Sequence, residues 1–203
     1  MSNCGCDPTA AETAQQRRIL WIALALNATM FVAETTAGVI ANSAGLIADG
    51  LDMLSDASAY AIGLIAVGRS ARFKANAAMS SGVLLVILGI GVIIDVIRRA
   101  VSGEPPEGSI MIVVAAVALA VNATVLRLLS KQRSQEVHLR ATWIFTRADV
   151  VANAAVIISG GAVLLTGFRY IDLIVGAAIG LYVVKEALEI LKEAREARRT
   201  SQH

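Results

Sequence analysis

Hydrophobic positions run almost unbroken through six stretches of the chain, each about 20 or more residues, the length that crosses a bilayer as a helix. They cover about residues 19–41, 44–68, 78–97, 108–130, 141–166 and 170–191. The runs are long and do not alternate, which argues against the strands of a membrane barrel. The expected fold is all-α: an integral membrane protein with six transmembrane helices. Linkers are short, and "SGEPPEG" at 102–108 reads as a tight surface turn. The expected organisation is an N-terminal tail over 1–18, one six-helix membrane domain over 19–191 and a C-terminal tail over 192–203.

The polar exceptions inside these runs carry the information. Helix 1 holds Asn27 and Glu34, helix 2 Asp49, Asp52 and Asp56, helix 4 Asn122, and helix 5 Asp149 and Asn153. At the α-helical rise, Asn27, Asp56, Asn122 and Asp149 all fall about 12 Å from the same membrane edge, with Asp52 and Asn153 about 6 Å deeper. Helices 1, 2, 4 and 5 thus share one polar layer and would form the core. Helices 3 and 6 would lie outside it, with Asp95 and Asp172 near their far ends.

Spacing gives each set a common face. Asp49, Asp52 and Asp56 stand at i, i+3 and i+7, Asp149 and Asn153 at i and i+4, and Asn27 and Glu34 at i and i+7. An Asp facing lipid costs roughly 3 kcal/mol, so these faces are expected to point inward. Arg147 is the one basic residue close by on helix 5, and it lies about 200° around the helix from Asp149. Buried carboxylates without basic partners need protons or cations. The layer therefore reads as a cation-translocation site.

A single Asp in such a helix is as often a link to a neighbouring helix. Three at matching depth fit that account poorly. For Asn27 and Asn122, helix-to-helix bonding and ligation stay equally open. Asp95 is expected to pair with Arg98 or Arg99. Lys185 with Glu189, and Glu186 with Lys192, read as a solvated helix end, and His138 as an exposed linker residue.

Composition narrows the class. The chain is 56% hydrophobic and 17% charged, which suits a polytopic membrane protein rather than a soluble domain. No basic face suits nucleic acid. No Ser/His/Asp set or nucleotide loop is present, so neither an enzyme nor a prosthetic group is expected. Aromatic residues make up 4%, too few for a pocket that binds cationic drugs. No cleavable signal peptide is expected, because the first apolar run follows a long polar stretch.

Lys and Arg cluster in the N-terminal flank, the second and fourth linkers and the C-terminal tail. That bias predicts a multi-pass protein of the cell membrane with both termini cytoplasmic. Cys4 and Cys6 form a C-x-C pair, a weak candidate for accessory metal capture.

The runs "VAETTAGVIANSAGLIADGLDMLSDA" (32–57) and "FTRADVVANAAVIISG" (145–160) resemble the first two helices and the fifth helix of cation diffusion facilitator transporters. The resemblance covers about residues 17–190. It implies a homodimeric exporter of divalent metals, usually Zn²⁺, exchanged for protons by alternating access. It places metal ligands at Asp52 and Asp56 on helix 2 and at Asp149 on helix 5. The family's remaining helix 5 ligand falls on Phe145, which cannot bind a metal. The expected metal set is therefore Asp52, Asp56, Asp149 and Asn153, with Asn27 or Asn122 as an alternative fourth oxygen or as supporting groups. Glu34 and Asp49 would line the proton or exit path.

An all-oxygen set binds Zn²⁺ more weakly than a His set and suits Mn²⁺ relatively better, which keeps Cd²⁺, Fe²⁺, Co²⁺ and Mn²⁺ open as cargo. A passive divalent-cation channel or uptake facilitator is the competing expectation. About ten residues follow the sixth run, so the resemblance implies a short member lacking the family's C-terminal cytoplasmic domain. A dimer would then rest on membrane helices, with Gly176 and Gly180 on helix 6 and Gly82, Gly89 and Gly91 on helix 3 as candidate contacts.

Overall fold

The computed structural model describes residues 8–65, 70–130 and 137–200, without the side chains of 8–16, 71, 102, 129–130, 137–148 and 200. Six helices follow in order: α1 (Pro8–Ile40), α2 (Ala44–Ile65), α3 (Ala71–Ser102), α4 (Gly108–Ser130), α5 (Val137–Thr166) and α6 (Tyr170–Thr200). Each of the six apolar runs falls on one of them, with 66–68 of the second lying outside the described residues. Among the described residues, four helices contain stretches long and apolar enough to cross a membrane: Arg17–Ile40, Arg72–Val101, Gly108–Leu128 and Asp149–Thr166. α2 and α6 are long enough as well, but they carry charges within the apolar run, three of them the Asp residues of α2. The chain is an all-α membrane protein.

Helix ends differ from the expected ones where good helix formers extend past the apolar run. The polar "KEAREARRT" continues α6 to Thr200. α5 begins at Val137, so His138 stands on its first turn rather than in a linker. Cys4 and Cys6 lie outside the described residues.

α1 packs chiefly on α2, α3 on α6 and α4 on α5. α2 also joins α6 and α3, whereas the α4–α5 pair meets the other four through smaller contacts with α1, α6 and α2. The α1–α2, α3–α4 and α5–α6 connections gather on one rim. Here the Asn42 amide donates to the Glu104 carbonyl at 2.9 Å, and the Arg169 guanidinium to the carbonyls of Gly103 and Ala100. Asn42 takes a left-handed backbone conformation (φ 55°), which Asn tolerates better than most residues.

Arg99 donates to the Asn42 side chain and to Asp95, and Arg98 reaches Asp95 at 2.8 Å. Both expected partners of Asp95 are therefore engaged. On the same rim, Leu46, Met111, Val156 and Leu173 join an apolar cluster that fills the bundle. A second small cluster, Ala23, Tyr60 and Val125, lies toward the opposite end. The polar layer sits between them.

The glycines offered as dimer contacts are mostly used inside the chain. A Cβ on Gly176 would lie 2.7 Å from the Ala44 backbone, one on Gly180 would meet Val92 and Ile93 at 3.2 Å, and those on Gly82 and Gly89 would strike Leu191 and Val184. Small residues here let α6 approach α2 and α3 closely. Only Gly91 of that set faces open space.

Candidate metal centre

α2 brings three acids inward, as their spacing predicts. Asp49 is fully buried and Asp52 is 5% exposed, while Asp56 is half-buried. Asp56 accepts from the Tyr60 hydroxyl at 3.4 Å, one turn along the same helix. From α5, Asp149 is 4% exposed and stands within hydrogen-bonding reach of both Asp52 and Asp56. No donor reaches its Oδ2. The three carboxylates predicted as ligands are thus neighbours across the α2–α5 contact. They converge pairwise: among the described residues, no three His, Cys, Asp or Glu side chains close around one point. The charges that bear most on them are negative, from one another, from Asp49 and from Glu186.

Asn153 lies one turn from Asp149 and meets a different level of α2. Its amide nitrogen donates to both oxygens of Asp49, at 3.0 and 2.8 Å, while its Oδ1 has no partner. Glu34 approaches Asp49 from α1. Gly50 permits this, since a side chain there would come within 2.6 Å of Thr35 Oγ1 and 3.1 Å of the Thr35 backbone nitrogen. Glu34 is fully buried, and no donor reaches either of its oxygens. The carboxyls of Glu34 and Asp49 stand against each other.

The remaining carboxamides are buried too. Asn27 donates to the Ala23 carbonyl at 2.9 Å and leaves Oδ1 free, and neither polar atom of Asn122 has a partner. Buried amides are rarely left so, because an unmade hydrogen bond costs about 1–3 kcal/mol. Phe145 lies on α5 one turn before Asp149, and its side chain is outside the described set.

Glu186 was not expected here. It is half-buried on α6, in reach of the Tyr182 and Ser55 hydroxyls, with its charge directed at Asp52 and Asp56. Reading it as part of a solvated helix end was incorrect, although Lys185 and Glu189 do form an exposed pair at 3.7 Å. The missed signal is the buried stripe of α6, Asp172, Gly176, Ile179 and Val183, whose next step at i+3 is Glu186.

Comparison with known proteins gives consistent matches. Residues 20–197 match the model of the cation efflux transmembrane domain. The metal cation efflux system protein CzcD of Cupriavidus metallidurans is 30% identical over 189 residues, 87% of this chain and 60% of that protein. The zinc transporter ZitB of Pectobacterium atrosepticum is 28% identical over 197 residues, 90% of this chain and 61% of its own length. A cadmium, cobalt and zinc/H(+)-K(+) antiporter of Bacillus velezensis is 22% identical over 194 residues, 88% of this chain and 61% of its own. The chain therefore spans about 60% of the length of the curated relatives it matches.

Proposed function

The chain belongs to the cation efflux family, and from that premise we propose that it exports a divalent metal cation across the cell membrane in exchange for protons. The observation that carries this reading is Asp149 of α5 lying against Asp52 and Asp56 of α2, buried and surrounded by negative charge. Carboxylates that have no cationic partner among the described residues are stable only when a cation or protons neutralise them. Competition between the two at the same oxygens is the chemistry of an antiporter.

The cargo is zinc-like, in keeping with the metals named for the relatives, and the all-oxygen set leaves Cd²⁺, Co²⁺, Fe²⁺ and Mn²⁺ within range. Asp52, Asp56 and Asp149 supply the charged oxygens. Asn122 and Asn27, with unpartnered oxygens, are candidates for a fourth, whereas Asn153, the fourth ligand expected from its spacing, meets the level of Asp49. The rim bearing the α1–α2 turn faces outward, and both termini are cytoplasmic.

In this orientation the ion loads from the cytoplasm, and the bundle rearranges to expose the carboxylates on the other side. Protons then displace the ion. The weak contact between the α4–α5 pair and the rest of the bundle supports movement along that seam, which the acids line. A homodimer would form through membrane helices, on the face of α3 around Gly91, because Gly82, Gly89, Gly176 and Gly180 are engaged within the chain.

The test is zinc flux in proteoliposomes under an imposed pH gradient. Wild type should show saturable flux that follows the proton gradient, and Asp56→Ala should show none. Full proton-coupled flux in Asp56→Ala would overturn the site. Flux that does not saturate and ignores the gradient would establish the passive channel instead.

A further inference from the structure

We propose that Glu34, Asp49 and Asn153 form a second divalent-cation station, one turn nearer the outer rim than the level of Asp52, Asp56 and Asp149. The proposal deepens the export reading and rests on its orientation. Three helices contribute one side chain each, and all three side chains are fully buried. Asn153 alone would be an ordinary link between α5 and α2. Glu34 does not fit that account. It brings a carboxyl against Asp49, yet no donor reaches either of its oxygens, and Asn153 Oδ1 is equally unpartnered.

Two carboxyls side by side in an apolar bundle need a proton or a cation between them. Among the described residues no basic side chain supplies a positive charge, and the charges that bear on Glu34 come from Asp49 and Asp52. A divalent ion balances the two charges and gives the free oxygens partners. Turning the Asn153 amide over adds a neutral oxygen and needs no backbone movement. The resulting donors are all oxygen, the chemistry that suits hard and borderline divalent cations.

Helix geometry sets the relation of the two levels. Asp49 is three residues from Asp52 and seven from Asp56, so the levels are about 5–10 Å apart along α2. Two sites at that separation let an incoming ion repel the one ahead, as in multi-site conduction. Beyond the outer station the bundle is closed by the apolar cluster around Leu46, Met111 and Val156.

The experiment is Zn²⁺ equilibrium dialysis on the full chain in lipid nanodiscs, scored as ions per chain. Wild type should bind two. Asp52→Asn/Asp56→Asn should keep one, and adding Glu34→Gln should remove it. Glu34→Gln alone should keep the inner ion, which also shows that the isosteric change leaves the protein folded. Asn153→Asp should tighten the outer ion about tenfold by adding a charged ligand. A single wild-type ion that disappears in Asp52→Asn/Asp56→Asn would overturn the station and leave the export reading intact. Unchanged outer affinity in Asn153→Asp would also overturn it. A wild type that binds no Zn²⁺ would sink both readings together.

Discussion

Asp172 and Asp149 are both buried carboxylates in one bundle, and they are treated in opposite ways. Asp172, on the first turn of α6, accepts from the Ser43 hydroxyl at 2.7 Å and from the backbone nitrogens of Ala44 and Gly45 at 2.7 and 3.0 Å. Those nitrogens open α2, where helix N–H groups have no partner within the helix and favour an anion. Gly45 leaves the room, since a Cβ there would stand 2.8 Å from Asp172 Oδ1. Asp149 has Asp52 and Asp56 as neighbours and no donor at Oδ2. A carboxylate that accepts from three donors, with both oxygens engaged, is part of the frame. One left facing other carboxylates is held ready for something that arrives and leaves.

The sharpest way to break this comparison is to neutralise each acid and read transport and stability together. Asp149→Asn should lower metal affinity by more than the roughly 10–100-fold that changes beyond the ligands produce. Its melting temperature in detergent should be unchanged or higher, because a buried charge without a partner has been removed. If Asp149→Asn instead lowered the melting temperature and left zinc affinity alone, Asp149 would belong with Asp172.

The next largest effect is expected at Asp172 and has the opposite character. Asp172→Ala leaves the start of α2 without its acceptor, which should destabilise the fold by about 3 kcal/mol. Zinc affinity of the folded fraction should stay within a few-fold of wild type, since Asp172 lies at the rim and touches none of the candidate ligands. Thermal unfolding followed by circular dichroism, beside zinc dialysis at low temperature, separates the two quantities. A large loss of affinity with normal unfolding would erase the distinction.

These two acids also show what a sequence can and cannot reveal here. The six helices were legible because an apolar run of bilayer length has few other fates. The inward face of α2 was legible because Asp49, Asp52 and Asp56 repeat at helical spacing. What meets that face was not. Helix register is set by close packing, such as Gly50 against Thr35 and Gly176 against Ala44, and no single-helix pattern encodes it. Asn153 therefore looked like a companion of Asp149, while the packing gives its amide to Asp49. Asp172 looked like a residue near a helix end, and its task depends on a turn more than a hundred positions away. Gly176 and Gly180 carried a small-residue signature that serves α2 and α3 of the same chain.

Glu186 falls between the two cases and makes the finest test. It has hydroxyl partners in Tyr182 and Ser55, as a frame residue would, yet its charge faces Asp52 and Asp56. It stands on α6, outside the four helices whose polar residues share a depth. Its hydroxyl partners answer part of its hydrogen-bonding capacity and Lys185 offsets part of its charge, and the remainder adds to the attraction for an approaching cation. Glu186→Gln keeps the shape and the hydroxyl contacts and removes only that charge. The expected result is a loss of zinc affinity of about 3–10-fold, which corresponds to about 0.7–1.4 kcal/mol, with thermal stability unchanged. The effect should shrink as salt rises, because the group is half-buried and reachable by screening ions. An affinity that does not move in Glu186→Gln would put this residue with Asp172, and the acid layer would then end at α2 and α5.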